Sequence, residues 1–338
     1  MKSLLVTGGA GFIGSNFIDY FLKKHGNDYH IINLDCLTYA GNLDNIETDP
    51  NSPNHTFIEG DITDKPFINQ LFETHKFHGV FHFAAESHVD NSISGPEVFI
   101  DTNIKGTFNL IEAARKTWFD APFKIKPEFE NARFHHVSTD EVYGSLGDEG
   151  FFLETTPYAP NSPYSASKAS SDFIVRSYNK TFGLDITISN CSNNFGPKQH
   201  GEKLIPTIIR NALSQNPIPI YGDGQNIRDW LFVTDHCEAI DQIFHKGKTG
   251  HTYNIGTRNE KNNLELTKAI CDILDEVKPS SNLESYYKLV TFVTDRPGHD
   301  QRYAIDPSKI ETELNWASKE DFKHQLKQTI LFYIQQYS

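Results

Sequence analysis

The sequence is poor in cysteine and contains no C-x-x-C pair. Its four cysteines, in a chain of 338 residues, are Cys36, Cys191, Cys237 and Cys271, and they stand far apart. Such spacing excludes a disulfide framework and a cysteine-based zinc site. We therefore expect reduced thiols, a cytoplasmic location and no bound metal.

Long apolar runs and an excess of positive charge are also missing. No run of about 18 apolar residues occurs, so the sequence predicts no membrane span. The apolar start is too short for a signal peptide, and glycines interrupt it. The formal net charge is −13 and the lysines are scattered, which argues against a nucleic-acid or anionic-membrane surface.

The first half of the sequence alternates short apolar runs with amphipathic segments. The apolar runs are rich in Val, Ile and Phe, as β-strands are, and they are SLLVTG, HIINLD, HTFIEGD, GVFHFAA, FHHVST and LDITISNCS. Such alternation predicts an α/β fold with a Rossmann-type, doubly wound parallel sheet.

Beyond residue 190 the pattern changes to Pro- and Gly-rich connections between shorter helices. This change predicts a smaller α/β substrate lobe. We place the cofactor-binding domain at residues 1–189 and the discontinuous lobe at 190–338, with segments around 229–257 returning to the first domain. Residues 121–133 are predicted to be a surface insertion before the fifth strand.

A glycine motif follows the first predicted strand. Gly9, Gly11 and Gly14 form a G-x-G-x-x-G spacing that opens a helix, and Asp35 ends the next predicted strand. Such glycines let the backbone approach a pyrophosphate at the helix N-terminus, while an acid at the second strand end accepts hydrogen bonds from ribose hydroxyls. Because a carboxylate there repels a 2′-phosphate, the sequence favours NAD over NADP.

Two further strand ends are candidates for the same site. Asp61 either contacts the adenine edge or caps its own strand end, and Ala84 and Ala85 either let the cofactor pass or simply allow close packing. The predicted cofactor-binding residues are Gly8, Gly11, Phe12, Ile13, Gly14, Asp35, Asp61, Ile62, Ala84, Ala85, Tyr164 and Lys168.

Tyr164 and Lys168 lie four residues apart, so they share one face of a predicted helix. A lysine ammonium beside a phenol favours the phenolate, as does the charge of an oxidised nicotinamide. The pair therefore predicts an acceptor for a hydroxyl proton. The spacing alone is weak, because Tyr20 and Lys24 repeat it in the first predicted helix, where we expect a solvated face.

With T-G-G-A-G-F-I-G at the front and Y-x-x-x-K in the middle, the chain resembles the extended short-chain dehydrogenase/reductases. This resemblance implies that Tyr164 is the acid/base and that Lys168 supports it. It also implies that Thr139, at the end of the fifth predicted strand, supports a sugar hydroxyl.

Asp140 and Glu141 stand side by side in HVSTDEVYG, where an apolar strand should end. An arbitrary Asp-Glu pair is most often a solvated turn. Two adjacent acids also raise each other's pKa, so one can stay protonated while the other ionises, as an elimination of water requires. Since neighbouring strand residues point to opposite faces, both acids can serve one site only if the strand has ended by Thr139.

A narrower resemblance covers nearly the whole chain. The stretches AAESHVD, STDEVYG, YSASKASSD, NCSNNFGP, EKLIP, RDWLFVTDH, TYNIG and DRPGHDQRYAID together are similar to nucleotide-sugar 4,6-dehydratases. This resemblance implies oxidation of a sugar at carbon 4, loss of water across carbons 5 and 6, and return of the hydride to carbon 6. It implies Asp140 as the acid at the carbon-6 hydroxyl and Glu141 as the base at carbon 5.

The same resemblance implies dTDP-glucose as the substrate, although the sequence does not choose between thymidine and uridine. It implies a homodimer through helices near residues 98–116 and 164–181. The implied substrate-binding residues are Ser87, His88, Asn193, Lys203, Leu204, Pro219, Tyr221, Arg228, Asn263, Arg296 and His299. His88 is equally a packed histidine, and either arginine could instead form a structural ion pair.

Two other functions remain compatible with the sequence. An epimerase or decarboxylase acting on a nucleotide sugar would use Tyr164, Lys168 and NAD equally well, and the pair Asp140 and Glu141 is the feature that argues against it. A non-catalytic nucleotide- or redox-sensing protein would need none of these reactive groups.

Overall fold

The computed structural model describes residues 1–49, 52–295, 297–319 and 321–337. In these ranges the strands are β1 (Lys2–Thr7), β2 (Tyr29–Asp35), β3 (His55–Glu59), β4 (Gly79–His82), β5 (Phe119–Ala121), β6 (Lys124–Ile125), β7 (Arg133–Thr139), β8 (Ile186–Cys191), β9 (Asn193–Phe195), β10 (Ile218–Tyr221), β11 (Ile227–Phe232), β12 (His251–Ile255), β13 (Glu260–Asn262) and β14 (Val290–Val293). The α-helices are α1 (Phe12–His25), α2 (Lys65–His75), α3 (Val89–Ser94), α4 (Glu97–Phe99), α5 (Thr107–Trp118), α6 (Pro163–Phe182), α7 (Leu204–Leu213), α8 (Val233–Lys246), α9 (Asn263–Val277), α10 (Ser308–Leu314) and α11 (Phe322–Tyr337).

Seven strands form one parallel sheet in the order β12-β8-β7-β4-β1-β2-β3. All six strands predicted from the apolar runs belong to it. The order runs outward in both directions from β1 and β4, and ligands bind beyond the carboxyl ends of strands at such a reversal. The predicted doubly wound α/β fold is confirmed.

The apolar runs form strands because both faces of this sheet are covered by helices. Leu4 and Leu5 are neighbours on β1, and they point into different cores. Leu5 packs in a core with residues of α2, α5 and α6, whereas Leu4 packs in a core with residues of α1, α8 and α10. This two-sided burial holds the strand ends, and the loops that follow them, in fixed positions.

The second half of the chain supplies two smaller sheets and a third core. Strand β11 pairs with β9 and β13, and β10 pairs with β14. Helices α7, α9 and α11 bury apolar residues against each other in this core. Strand β12 joins the main sheet although it follows these elements in sequence. The exact domain boundaries stay a prediction.

Two segments differ locally from the sequence-based expectation. Residues 100–106, which belong to the helix expected near residues 98–116, form a π-helix before α5. Residues 121–133 contain part of the short β5–β6 hairpin and a 3₁₀ turn at Pro127–Phe129. Within the described parts of the chain, no helix combines the length and the apolar character needed to cross a lipid bilayer.

Candidate active site

The turn between β1 and α1 lets a ligand approach the backbone closely. Gly8 has a φ of 72°, and a Cβ there would lie 2.6 Å from the backbone nitrogen of Ala84. A Cβ at Gly14 would lie 2.2 Å from the carbonyl oxygen of Gly8. Side chains are therefore excluded from the turn. The N-terminus of α1, which begins after Gly11, faces a cavity and can receive a pyrophosphate.

Asp35 and Asp61 end two strands on the rim of this cavity. The two carboxylate oxygens of Asp35 accept hydrogen bonds from the backbone N–H groups of Ala10 and Leu37, each at 2.9 Å. A carboxylate has about four acceptor positions, so Asp35 can still accept ribose hydroxyls. Asp61 accepts from the N–H of Thr63 at 2.8 Å and also lines the cavity, so the structure supports both readings of this residue.

The cavity has a volume of about 400 Å³ and lies at the carboxyl ends of the sheet strands. It brings together every predicted cofactor-binding residue, every predicted catalytic residue and three predicted substrate-binding residues. These are Gly8, Gly11, Phe12, Ile13, Gly14, Asp35, Asp61, Ile62, Ala84, Ala85, Ser87, Thr139, Asp140, Glu141, Tyr164, Lys168, Asn193 and Lys203. The residues present fit a dinucleotide beside a small reactive centre.

The two acids sit where the sheet ladder stops. Thr139 is the last residue of β7 and pairs with Cys191, and a 3₁₀ turn then begins at Asp140. The Thr139 hydroxyl accepts a hydrogen bond from the N–H of Glu141 at 3.3 Å and donates one to Asp140 Oδ1 at 3.3 Å. Because the turn replaces the strand alternation, Asp140 and Glu141 both line the cavity. The strand therefore ends at Thr139, as it must if both acids are to serve one site.

Asp140 is buried, with 2% of its surface exposed. Burial raises its pKa well above the usual range, and the neighbouring charge of Glu141 raises it further. The sequence argument named the repulsion between the acids, whereas in the structure burial is the larger cause. The protonated form of Asp140 is accordingly favoured, as suits an acid.

Helix α6 presents Tyr164 and Lys168 to the same cavity. A capping box between Ser162 and Ser165 fixes its first turn. Lys168 Nζ donates to the carbonyl oxygen of Val137 on β7 at 2.8 Å, so the ammonium is held against the sheet. Both reactive side chains are buried, with 8% of Tyr164 and 4% of Lys168 exposed.

Burial, which the sequence argument did not consider, dominates the pKa of Tyr164 in this structure. Burial raises the pKa of Tyr164 well above the usual value, and the charge of Glu141 adds to the shift. Burial also lowers the pKa of Lys168 to about 8. Low-dielectric surroundings disfavour both charged forms, and sequence spacing carries no information about burial.

The second Y-x-x-x-K pair has a different environment from the one expected. Lys24 Nζ lies 3.0 Å from the hydroxyl of Tyr20 and 2.7 Å from Asp241 Oδ2 on α8. The pair is thus part of an ion-pair contact between α1 and α8 and not simply a solvated face. It lies outside the cavity, so the same spacing serves packing in one helix and a candidate reactive centre in the other.

Several predicted substrate-binding residues do not line the cavity. His88 caps α3, Leu204 begins α7, Pro219 and Tyr221 lie on β10, Asn263 begins α9, and His299 Nδ1 lies 2.7 Å from Asp295 Oδ1. Arg296 falls outside the described residues. Roles for these residues stay predictions.

Arg228 also lies outside the cavity lining, and its guanidinium is buried. It donates to the backbone carbonyls of Ile227 at 2.7 Å, Asp300 at 2.8 Å and Gln301 at 3.2 Å. It also lies 4.3 Å from the ring centre of Tyr303. Its charge lowers the pKa of Asp140, against the larger effect of burial. The predicted phosphate contact of Arg228 stays a prediction.

The sequence argument missed a further set of cavity residues. Most of them follow the ends of β2, β4 and β8, so the rule that ligands bind beyond strand ends could have found them. They are Leu34, Thr38, Ala40, Gly41, Gly60, Phe83, Glu86, Val98, Thr102, Val137, Ser138, Cys191, Ser192, Asn194, Gln199, His200 and Glu202.

Comparison with known proteins gives matches over nearly the whole chain. A family model described as GDP-mannose 4,6 dehydratase matches residues 5–329. A dTDP-glucose 4,6-dehydratase from Xanthomonas campestris pv. campestris is 50% identical over 334 residues, which cover 99% of this chain and 93% of that protein.

Solved structures of enzymes with the same name also match the chain. The dTDP-glucose 4,6-dehydratase from Bacillus anthracis in complex with NAD is 44% identical, with a TM-score of 0.85 and coverage of 99% of this chain and 97% of that chain. The enzyme of the same name from Streptomyces venezuelae, with NAD and TYD bound, is 42% identical, with a TM-score of 0.87 and coverage of 98% and 97%.

Proposed function

Because the chain belongs to the GDP-mannose 4,6 dehydratase family, we propose that its cavity converts dTDP-glucose to dTDP-4-keto-6-deoxyglucose with NAD as a reusable cofactor. The observation that carries this proposal is the placement of Asp140 and Glu141 in one cavity with Tyr164 and Lys168. The relatives named above support the substrate. The predicted family, NAD dependence and hydro-lyase activity are confirmed by these comparisons.

The glycine turn after β1 and Asp35 would hold NAD, which would supply an acceptor for a hydride of the sugar and a donor for its return. We assign the chain's own groups as follows. Tyr164, whose phenolate the positive charge of an oxidised nicotinamide would favour against burial, takes the proton of the carbon-4 hydroxyl, and the hydroxyl of Thr139 is placed to support that oxygen. The ketone at carbon 4 acidifies the hydrogen at carbon 5, which Glu141 removes while Asp140 gives a proton to the departing carbon-6 hydroxyl.

The electrostatics of the cavity support this division of roles. Burial and the charge of Glu141 both raise the pKa of Asp140, which favours its protonated form and suits it to give a proton to the leaving hydroxyl. Two carboxyl groups in different protonation states are what an acid–base elimination needs. Neither inversion at carbon 4 nor loss of carbon dioxide requires an acid and a base to eliminate water, so the pair Asp140 and Glu141 favours the dehydratase.

Incubation of the purified protein with dTDP-glucose, without added NAD, tests the activity. We expect a product lighter than the substrate by one water molecule, because the cofactor is not consumed. UDP-glucose in a parallel reaction tests the preference for thymidine. A product of unchanged mass with an inverted carbon 4 would instead assign an epimerase.

We also propose that the protein is a cytoplasmic homodimer. Its four cysteines are free thiols, which suits a reducing compartment. Apolar side chains on the segments expected to form the dimer are exposed, including Val98, Ile100, Phe108 and Phe173. Exposed apolar residues on adjacent helices are typical of a contact surface.

Replacing Phe173 with glutamate should convert the dimer to a monomer, since it puts a charge into the proposed interface. Size-exclusion chromatography with light scattering measures the change. Phe123 is the matched control, because it is 69% exposed on the β5–β6 turn, and Phe123→Glu should stay dimeric. A monomeric wild-type protein would refute the proposed assembly.

A further inference from the structure

Asp172 is a buried carboxylate one helical turn after Lys168 on α6, and none of its surface is exposed. Its Oδ2 atom accepts hydrogen bonds from the Ser138 hydroxyl at 3.0 Å and the Tyr158 hydroxyl at 2.8 Å. Its Oδ1 atom lies 3.2 Å from Nε2 of His136. Two hydrogen bonds to one oxygen, with the imidazole beside the other, fix the position of this carboxylate.

Lys168 needs a counter-charge in this environment. Its ammonium is buried and donates to the carbonyl oxygen of Val137, and a carbonyl supplies a dipole but no net charge. Burying an ammonium is costly unless an opposite charge is near. Asp172 follows Lys168 by four residues on the same face of α6, so it is placed to provide that charge.

We propose that Asp172 is a positioning residue for the reaction: it keeps the buried Lys168 charged, and Ser138, Tyr158 and His136 hold it in place. The inference rests on the proposed function, because it assumes that Lys168 acts as an ammonium beside Tyr164. Asp172 itself contacts neither substrate nor cofactor in this account and lies outside the cavity lining.

The direction of the pKa shifts agrees with this arrangement. Burial lowers the pKa of Lys168 to about 8, and the charge of Asp172 acts in the opposite direction. Burial alone would raise the pKa of Asp172, but His136 and the charge of Lys168 bring it below the usual value. Asp172 is thus ionised at neutral pH although it is buried.

Other titratable groups near Lys168 are mostly neutral at that pH. On the neighbouring strands, burial lowers the pKa of His136 to about 4, lowers that of His82 well below its usual value, and raises that of Cys191 to about 12. On α6 itself, burial raises the pKa of Tyr164 and so disfavours its negatively charged form. Asp172 therefore supplies the negative charge among the titratable groups near Lys168.

Arg176 orients Tyr158, one of the two hydroxyl donors to Asp172. Arg176 Nη2 donates to the hydroxyl of Tyr158 at 2.7 Å, and its guanidinium lies 4.8 Å from the centre of that ring. Because Tyr158 receives this hydrogen bond, its own hydrogen points to Asp172. The hydroxyl of Tyr158 is thereby oriented as a donor to the carboxylate.

The test is the pH profile of kcat/KM for dTDP-glucose in Asp172→Asn, which keeps the shape of the side chain and removes its charge. Lys168 must be protonated to act, so activity falls as pH rises through its pKa. Losing Asp172 lowers that pKa further. We expect the alkaline limb to move toward lower pH by about one unit, which is a loss of about tenfold at a fixed pH on that limb.

Two controls separate this role from a structural one. Asp235→Asn also removes a buried carboxylate. Asp235 accepts hydrogen bonds from the backbone N–H of Lys319 and the side-chain amide of Gln325. This variant should leave the alkaline limb of the pH profile at its wild-type position. In a Lys168→Arg background, where residue 168 cannot lose its proton, adding Asp172→Asn should not move the limb.

An unmoved alkaline limb in folded Asp172→Asn would overturn the proposal. If that variant does not fold, Tyr158→Phe decides, because it removes one donor to Asp172: a smaller shift in the same direction supports the role and no shift overturns it. Failure of the proposed function is distinguishable, since the wild-type protein would then release no dehydrated product.

Discussion

Glutamine in place of Glu141 is expected to stop the reaction after its first step. The variant keeps Tyr164, Lys168 and the whole cofactor site, so the sugar should still be oxidised at carbon 4. It lacks the base for the carbon-5 proton, so turnover should fall by about 10²–10⁴. Stopped-flow absorbance of the reduced nicotinamide, followed by product mass, measures both steps in one sample.

Reduced nicotinamide should accumulate in this variant, because without elimination no carbon is ready to take the hydride back. Glu311→Gln is the control, since Glu311 is an ion-pair partner of Arg258 on the surface and its loss should leave both signals unchanged. Product formation at the wild-type rate by Glu141→Gln would refute the base assignment.

Phenylalanine in place of Tyr164 is expected to suppress the hydride transfer itself. Only the hydroxyl group is removed, so the packing of the ring against Phe99 can remain. Without an acceptor for the carbon-4 hydroxyl proton, we expect the first absorbance change to slow by about 10²–10⁴. The measurement is the rate of nicotinamide reduction on mixing with dTDP-glucose.

The chain contains its own control for this experiment. Tyr20 and Lys24 have the same spacing and are in contact, but they lie outside the cavity. Tyr20→Phe should therefore leave nicotinamide reduction at the wild-type rate. A fast absorbance change in Tyr164→Phe would assign the acceptor role to another group in the cavity.

Much of the fold could be predicted because the main sheet is covered on both faces. Strands buried on both sides are continuous apolar runs, which are visible in the sequence as six short segments. The π-helix at residues 100–106 was not predictable in this way, since its polar and apolar residues also suit a regular helix. The strands of the β5–β6 hairpin are too short to show the alternation of apolar and polar residues that predicts a strand.

The site was predictable where its residues are close together in sequence. Thr139, Asp140 and Glu141 follow directly from a strand end, and Tyr164 and Lys168 from one turn of helix. What depends on distant residues was not predictable. Burial dominates the pKa of Tyr164, and Lys24 contacts Asp241, a residue far away in sequence.

The pairing of β12 with β8 has a consequence for how the chain is made. Strand β8 ends at Cys191, but its outer neighbour begins only at His251. A ribosome must therefore synthesise parts of both small sheets before β8 loses its open hydrogen-bonding edge. Unpaired strand edges recruit other chains, so self-association of nascent protein is most probable during this interval and ends when His251–Ile255 emerges.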